Sequence, residues 1–249
     1  MKILSIVLLA VGCSTTVGVI AGMFIRCREH KWNDIVLGFA AGIMLAAAST
    51  GLLAEAFSTG ARATALAVAG AFAGAGIISV LDRMVPHLHK IAGIDFEEHR
   101  SNGTINRSLL FIAALALHKI PEGLAVGVSF GGDVGDVLTV AGAISIQNIP
   151  ESFVIVAPLA AIGVSRPRII AISFVIAAVS IVSVLCGTML VSVFAGALPF
   201  MLASAGGAML YVISDEMIPE THAHGFEKPT TFALLAGFLL VLSLQNLVG

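Results

Sequence analysis

The chain has 249 residues, of which 58% are hydrophobic and only 11% carry a charge, with a formal net charge of −2 at pH 7. A soluble globular domain carries about 25% charged residues, so this composition excludes that class and indicates a polytopic membrane protein embedded in a lipid bilayer. The sequence contains no basic patch with interleaved aromatic residues, which argues against nucleic acid as a partner.

Eight segments are predominantly apolar over about 20 residues, the length that crosses the hydrocarbon core of a bilayer. We predict transmembrane helices at 3–25, 35–57, 63–85, 108–130, 137–162, 169–194, 197–221 and 229–247. The longest connection, between the third and fourth segments, contains His87, His89 and His99 but leaves no room for a soluble domain. We therefore expect an all-α fold in which residues 1–249 form a single transmembrane domain.

The lysines and arginines lie mainly in the odd-numbered loops. Those loops contain ten of the basic residues, whereas the opposite side contains only Lys2 and Arg62. Cytoplasmic loops of membrane proteins are enriched in lysine and arginine. The distribution therefore predicts cytoplasmic odd-numbered loops and both termini outside. The membrane in which we expect the protein is the inner (plasma) membrane.

One short pattern occurs three times within the apolar segments. It reads HKIPE at 118–122, QNIPE at 147–151 and EMIPE at 216–220. In each copy a polar side chain precedes a carboxylate by four residues, about one helical turn, so the two groups share a face of the helix. The proline removes a backbone donor, and we expect it to bend the helix. Because polar groups are costly in a hydrocarbon core, the pattern indicates a site or a pathway.

The first two copies lie on consecutive predicted helices, the fourth and the fifth. Packed side by side, these helices form two adjacent subsites that share two carboxylates. The first subsite consists of His118, Glu122, Gln147 and Glu151. Its imidazole, carboxylate and amide oxygens suit a divalent cation such as zinc, iron(II), manganese or cadmium. In the second subsite Lys119 and Asn148 join the same carboxylates, and the ammonium serves as a counter-ion where a cation would otherwise sit. The alternative is a buried polar cluster that only joins the helices; the matched spacing disfavours it.

The third copy lies near the cytoplasmic end of the seventh predicted helix. It belongs to an acidic stretch followed by histidines, which we interpret as a candidate metal exit or regulatory vestibule. The alternative is a solvated helix end. The vestibule residues are Asp215, Glu216, Glu220, His222 and His224.

At these motifs the chain resembles the ZIP (Zrt/Irt-like) family of divalent-metal transporters, and in particular its bacterial GufA-like branch. The paired HKIPE and QNIPE motifs and the DEMIPE stretch at 215–220 carry the resemblance, which extends over nearly the whole chain. It implies metal import toward the cytoplasm through a mid-membrane site between helices four and five. It also implies a 3+2+3 arrangement with inverted repeats around those two helices, an elevator-like alternating-access motion and a homodimer.

The second subsite departs from the family pattern. Relatives with a binuclear site have His-Asn on the fourth helix, an acidic residue beside the Gln on the fifth and Glu-Pro on the sixth. Here those positions hold Lys119, Asn148 and Ser183-Val184, so the ligands exclusive to the second metal are missing. The ligands of the first metal are intact. We therefore predict a mononuclear site in which the ammonium of Lys119 replaces the second metal.

Two functions of other classes compete with transport. Helical zinc hydrolases use His-Glu-x-x-His, with both histidines as ligands. Here Glu122 lies four residues after His118, no second histidine is near, and Pro121 interrupts the turn. A sensor that binds metal without moving it would share the site but produce no flux. The sequence favours a transporter of Zn²⁺, with Fe²⁺, Mn²⁺ or Cd²⁺ as further substrates, over an enzyme.

Overall fold

The computed structural model describes residues 2–24, 30–58, 61–84, 103–161 and 163–248, and in these ranges it contains helices and turns but no strand. Six helical segments are long and apolar enough to cross a membrane. They are Lys2–Phe24, Lys31–Ala56, Ala61–Asp82, Arg166–Val193, Ala195–His222 and Glu227–Leu247. The predicted class, an all-α protein that passes through the membrane several times, is confirmed.

The helices follow one another with short connections. In chain order they are α1 (Lys2–Phe24), α2 (His30–Ala46), α3 (Ala61–Met84), α4 (Gly103–Ser129), α5 (Val134–Val154), α6 (Arg166–Val193), α7 (Leu198–Val212) and α8 (Glu227–Val248). Two of them, α2 and α7, continue through π-helical segments, Ala47–Leu53 and Ile213–Met217, into the short α-helices Ala54–Ala56 and Ile218–His222. A short helix, Val156–Ala161, likewise continues α5. Below, α2, α5 and α7 include these continuations.

Each predicted segment coincides with one of these helices to within five residues at either end. The largest differences are at the starts of α2 and α4, where polar first turns are helical although they add nothing to an apolar segment. The group of six apolar helices does not include α4 and α5, which carry the two polar motifs. Helical geometry continues through Pro121 and Pro150. The loop histidines His87, His89 and His99 lie outside the described residues.

The helices pack as two groups. In the first group α1 contacts α5 and α6, and α4 contacts the same two helices. In the second group α2 contacts α7 and α8, and α3 contacts α7. The groups meet where α2 packs against α5 and where α7 packs against α4. We call them the α1/α4/α5/α6 group and the α2/α3/α7/α8 group.

Glycines permit the closest helix contacts in the second group. A Cβ atom at Gly42 of α2 would overlap the carbonyl oxygen of Leu234 in α8, and one at Gly74 of α3 would overlap that of Ser204 in α7. Helices in a membrane gain little hydrophobic energy from association, so close backbone packing between small residues contributes much of their attraction. The close packing of both helix pairs therefore depends on glycine, which has no side chain.

The distribution of polarity is the reverse of that in a soluble protein. Large apolar side chains such as Phe72, Phe174 and Phe232 are 60–78% exposed. By contrast, Lys119 of α4 is completely buried and is the largest fully buried side chain of the described residues. Lysine is almost never fully buried unless it is paired. The polar groups that surround Lys119 form the candidate site of the molecule.

Candidate metal site

The ammonium of Lys119 lies at the centre of a buried polar cluster between α4 and α5. Its Nζ donates to the Glu122 carboxylate at 2.7 Å, to the Asn148 amide oxygen at 2.7 Å and to the Glu151 carboxylate. Glu122 lies three residues further along α4, and the other two acceptors lie on α5. An ammonium has three donors, and each of them has an oxygen acceptor.

Gln147 forms a second bridge between the same two carboxylates. Its Nε2 donates to Glu122 Oε1 at 2.9 Å and to Glu151 Oε2 at 2.6 Å. Its amide oxygen is buried and has no hydrogen-bond partner. A buried acceptor without a partner is costly, and an amide oxygen is also a suitable ligand for a divalent cation. Gln147 therefore contributes one buried acceptor without a partner to this cluster.

The two carboxylates bind the ammonium through one oxygen each. Glu122 directs Oε2 to Lys119 and Oε1 to the Gln147 amide, and Glu151 uses Oε2 for both. When both carboxylates are ionised, two negative charges face one positive charge, so the cluster has a formal charge of −1. Burying an uncompensated charge is strongly unfavourable. The cluster is thus suited to gaining a further cation.

His118, the first residue of the HKIPE motif, contacts a different helix. Its Nε2 lies 2.8 Å from the carboxylate of Glu216, which the π-helical segment of α7 carries. About a fifth of the surface of each of these two side chains is exposed, whereas Lys119 is completely buried. In this conformation no three His, Cys, Asp or Glu side chains of the described ranges are grouped to hold a metal ion. The structure brings Lys119, Glu122 and Glu151 together and pairs His118 with Glu216.

The other predicted vestibule residues are dispersed over the end of α7. His222 Nδ1 donates to the carbonyl oxygen of Ile218 at 2.7 Å, and His224 Nδ1 lies 3.2 Å from the carboxylate of Asp34 at the start of α2. Asp215 is exposed and Glu220 is half-buried. Of the five vestibule residues, Glu216 is therefore the one in contact with the central motifs.

One residue of the centre was not found from the sequence. The amide nitrogen of Asn148 donates to the hydroxyl of Ser14 in α1 at 3.2 Å, and this hydroxyl donates to the carbonyl oxygen of Val11 at 2.9 Å. A signal was present, since residues 14–16 are three hydroxyl residues in succession within an apolar helix. The contact itself depends on the packing of α1 against α5, which the motif spacing does not specify.

The fold and this cluster define a multi-pass membrane protein with buried charged groups at the junction of two helices. The family model for the ZIP zinc transporters matches residues 88–245. Zinc transporter GufA of Myxococcus xanthus is 42% identical over 184 residues, which are 73% of this chain and 70% of GufA. Zinc transporter ZIPB of Bordetella bronchiseptica is 35% identical over an alignment of 253 positions, gaps included, which covers 95% of this chain and 78% of ZIPB. Zinc transporter ZupT of Corynebacterium aurimucosum is 31% identical, and the alignment covers 95% of this chain and 93% of ZupT.

The chain therefore belongs to the ZIP family. The similarity to GufA also agrees with the predicted GufA-like branch. The family is one of transporters, so the prediction that the protein is not an enzyme is confirmed.

Proposed function

We propose that this protein transports divalent transition-metal cations across the membrane, with zinc as its principal substrate. The observation that carries the proposal is the pair of buried carboxylates that α4 and α5 bring together beside a free amide oxygen. Membership of the ZIP family, with relatives named zinc transporters over as much as 95% of the chain, supports zinc as the substrate. Iron, manganese and cadmium accept the same ligand types and are further candidates.

The proposed metal ligands are His118, Glu122, Gln147 and Glu151. Metal binding requires two local changes from the present conformation. The Gln147 amide turns so that its oxygen, now without a partner, faces the cation. The imidazole of His118 leaves Glu216 and joins the carboxylates. Both changes are side-chain rotations, so the site can form without rebuilding a helix.

The proposed number of metals is one. The ammonium of Lys119 and the amide of Asn148 fill the second subsite, and the contacts of Lys119 with both carboxylates support this role. The ammonium keeps one oxygen of each carboxylate, so the other oxygen of each is available to the metal. A fixed positive charge also repels a second divalent cation at close range.

The proposed direction of transport is toward the cytoplasm. Glu216 contacts His118, so it is placed to receive a cation that leaves this ligand. Of the remaining vestibule residues, Asp215 directly precedes Glu216 in the π-helical segment of α7, whereas Glu220, His222 and His224 follow it toward and beyond the end of that helix. We assign them to the exit, in an inner (plasma) membrane protein whose termini lie outside. A homodimer is proposed from the family resemblance alone.

We further propose that all eight helices cross the membrane as 3+2+3 inverted repeats. If α1, α2 and α3 are exchanged with α6, α7 and α8, and α4 with α5, each principal helix contact is converted into another principal contact or into itself. A π-helical segment interrupts both α2 and α7 at corresponding places. Seven residues also match at a constant offset: Leu37, Ala40, Gly42, Met44, Leu45, Ser49 and Glu55 in α2 with Leu202, Ala205, Gly207, Met209, Leu210, Ser214 and Glu220 in α7.

The two helix groups are candidates for the moving parts of alternating access. The α1/α4/α5/α6 group contains the four proposed ligands, and the α2/α3/α7/α8 group contains Glu216. Sliding of the first group along the second would carry the metal site past Glu216. This is the elevator-like motion that the family resemblance implies.

Zinc uptake into proteoliposomes tests the proposal. Glu122→Gln keeps the shape of the side chain but removes its charge, and we expect it to lower uptake at least about tenfold. The control is Glu227→Gln, which changes an exposed carboxylate in the first turn of α8 and should leave uptake unchanged. Equal uptake in both variants would contradict the site. A wild-type protein that binds zinc but moves none would favour the sensor or the hydrolase.

A further inference from the structure

Ser14 connects α1 to the Lys119 cluster through a chain of three hydrogen bonds. The Ser14 hydroxyl donates to the Val11 carbonyl, the Asn148 amide nitrogen donates to the Ser14 hydroxyl, and the Asn148 oxygen accepts from Lys119. Ser14 is 7% exposed, and both Asn148 and Lys119 are completely buried. No water is needed to complete the chain, because every link is a direct contact.

The direction of this chain is fixed at its two ends, because the Lys119 ammonium can only donate and the Val11 carbonyl can only accept. The Asn148 oxygen therefore faces the ammonium and its NH₂ group faces Ser14. The Ser14 hydroxyl complements this orientation, since it accepts from the NH₂ group while its own proton goes to Val11. With the amide reversed, an NH₂ group would face the ammonium and two donors would be opposed.

We propose that Ser14 is a positioning residue of the metal site, which orients Asn148 so that Lys119 is held in the second subsite. The inference rests on the proposed zinc transport and adds a residue of α1 to it. With Lys119 anchored by Asn148, the ammonium takes only one oxygen from each carboxylate. Without that anchor, the ammonium moves toward the remaining carboxylate oxygens and competes with zinc for them.

The test is the zinc dependence of uptake by the Ser14→Ala variant in proteoliposomes. Loss of one hydrogen bond should raise the KM for zinc about two- to tenfold, with little change in the maximal rate per folded protein. Ser14→Cys, nearly the same in size but with a weaker acceptor, should raise KM in the same direction. A KM within experimental error of wild type in both variants would overturn the role of Ser14.

Ser173→Ala is the matched control. Ser173 is a completely buried serine in α6 whose hydroxyl donates to its own helix, to the Ile170 carbonyl at 2.7 Å, as Ser14 does to Val11. A purely structural contribution of such a serine would lower the amount of folded protein in both variants and leave both KM values unchanged. A KM raised equally in Ser173→Ala would also overturn the proposal.

A double-mutant cycle with Asn148→Ala tests whether Ser14 changes the KM for zinc through Asn148. When the amide is absent, Ser14 has nothing to orient, so Ser14→Ala should add no further rise in KM in that background. Full additivity of the two changes would contradict the chain of contacts. Failure of the inference and failure of the proposed function are distinguishable, since wild-type protein that neither binds nor transports zinc would contradict the function itself.

Discussion

Lys119 is the residue around which the buried polar cluster is built. Spacing alone predicted its contact with Glu122, because residues three apart on a helix are neighbours. Pairing of the HKIPE and QNIPE motifs predicted its contact with Glu151, and the structure contains both contacts. The predicted counter-ion arrangement thus followed from helical periodicity and the need to pair buried charges.

Two contacts of the centre could not be predicted in the same way. The His118–Glu216 pair depends on how α7 packs against α4, and the Ser14–Asn148 bond depends on how α1 packs against α5. These pairs are separated by about 100 residues or more, and periodicity within one helix carries no information about them. The third motif was therefore assigned to a vestibule without any predicted contact to the first motif, and in the structure its Glu216 contacts His118.

Removing the Lys119 ammonium should destabilise the protein in the absence of metal. Lys119→Met leaves two carboxylates without their buried partner, and breaking such a pair costs about 3–5 kcal/mol. We expect a melting temperature lower by several degrees in detergent, measured by differential scanning fluorimetry without zinc. Lys228→Met, an exposed lysine in the first turn of α8, is the control and should have no effect. Equal melting temperatures of both variants would show that the pair contributes no stability.

At the scale of the elements, apolar length predicted where each helix lies but not its internal irregularities. The π-helical segments of α2 and α7 leave no trace in hydropathy, because the same residues would suit a regular α-helix. Such segments are frequent at functional sites, and the one in α7 carries Glu216 to His118. Which helices pack against one another could not be predicted from apolar length either.

Two glycines of α3 offer a paired test of this packing. A Cβ atom at Gly74 would overlap the backbone of α7, whereas one at Gly76 would meet no atom within 4 Å. Gly74→Ala should therefore separate α3 from α7 and lower the melting temperature by several degrees. Gly76→Ala should leave it unchanged or raise it slightly, since alanine favours helix by about 1 kcal/mol over glycine. The reverse order of the two melting temperatures would show that α3 packs differently.

At the scale of the whole molecule, the proposed alternating access requires movement between the two helix groups. In the present conformation Gly51 of α2 lies against Val140 of α5, across the boundary between the groups. Gly12 of α1 lies against Ile181 of α6, within one group. The composition and the apolar segments predicted the membrane class, but this division into groups became visible only from the contacts between helices.

Disulfide cross-linking can separate these two kinds of contact. In a chain with Cys13, Cys27 and Cys186 replaced by serine, the pair Gly51→Cys and Val140→Cys should stop zinc uptake on oxidation and restore it on reduction. The pair Gly12→Cys and Ile181→Cys should cross-link without stopping uptake. The extent of cross-linking is measured on non-reducing gels. Zinc uptake that persists when the cysteines at positions 51 and 140 are completely cross-linked would contradict movement between the groups.

The most direct test of the central claim is the number of zinc ions bound to each chain at the α4–α5 site. It can be counted by mass spectrometry of the metal content and located by anomalous scattering at the zinc absorption edge. We expect one zinc ion between Glu122 and Glu151 in the wild-type protein, and a second zinc ion only when Lys119 is replaced by asparagine. Two zinc ions at this site in the wild-type protein would contradict that claim.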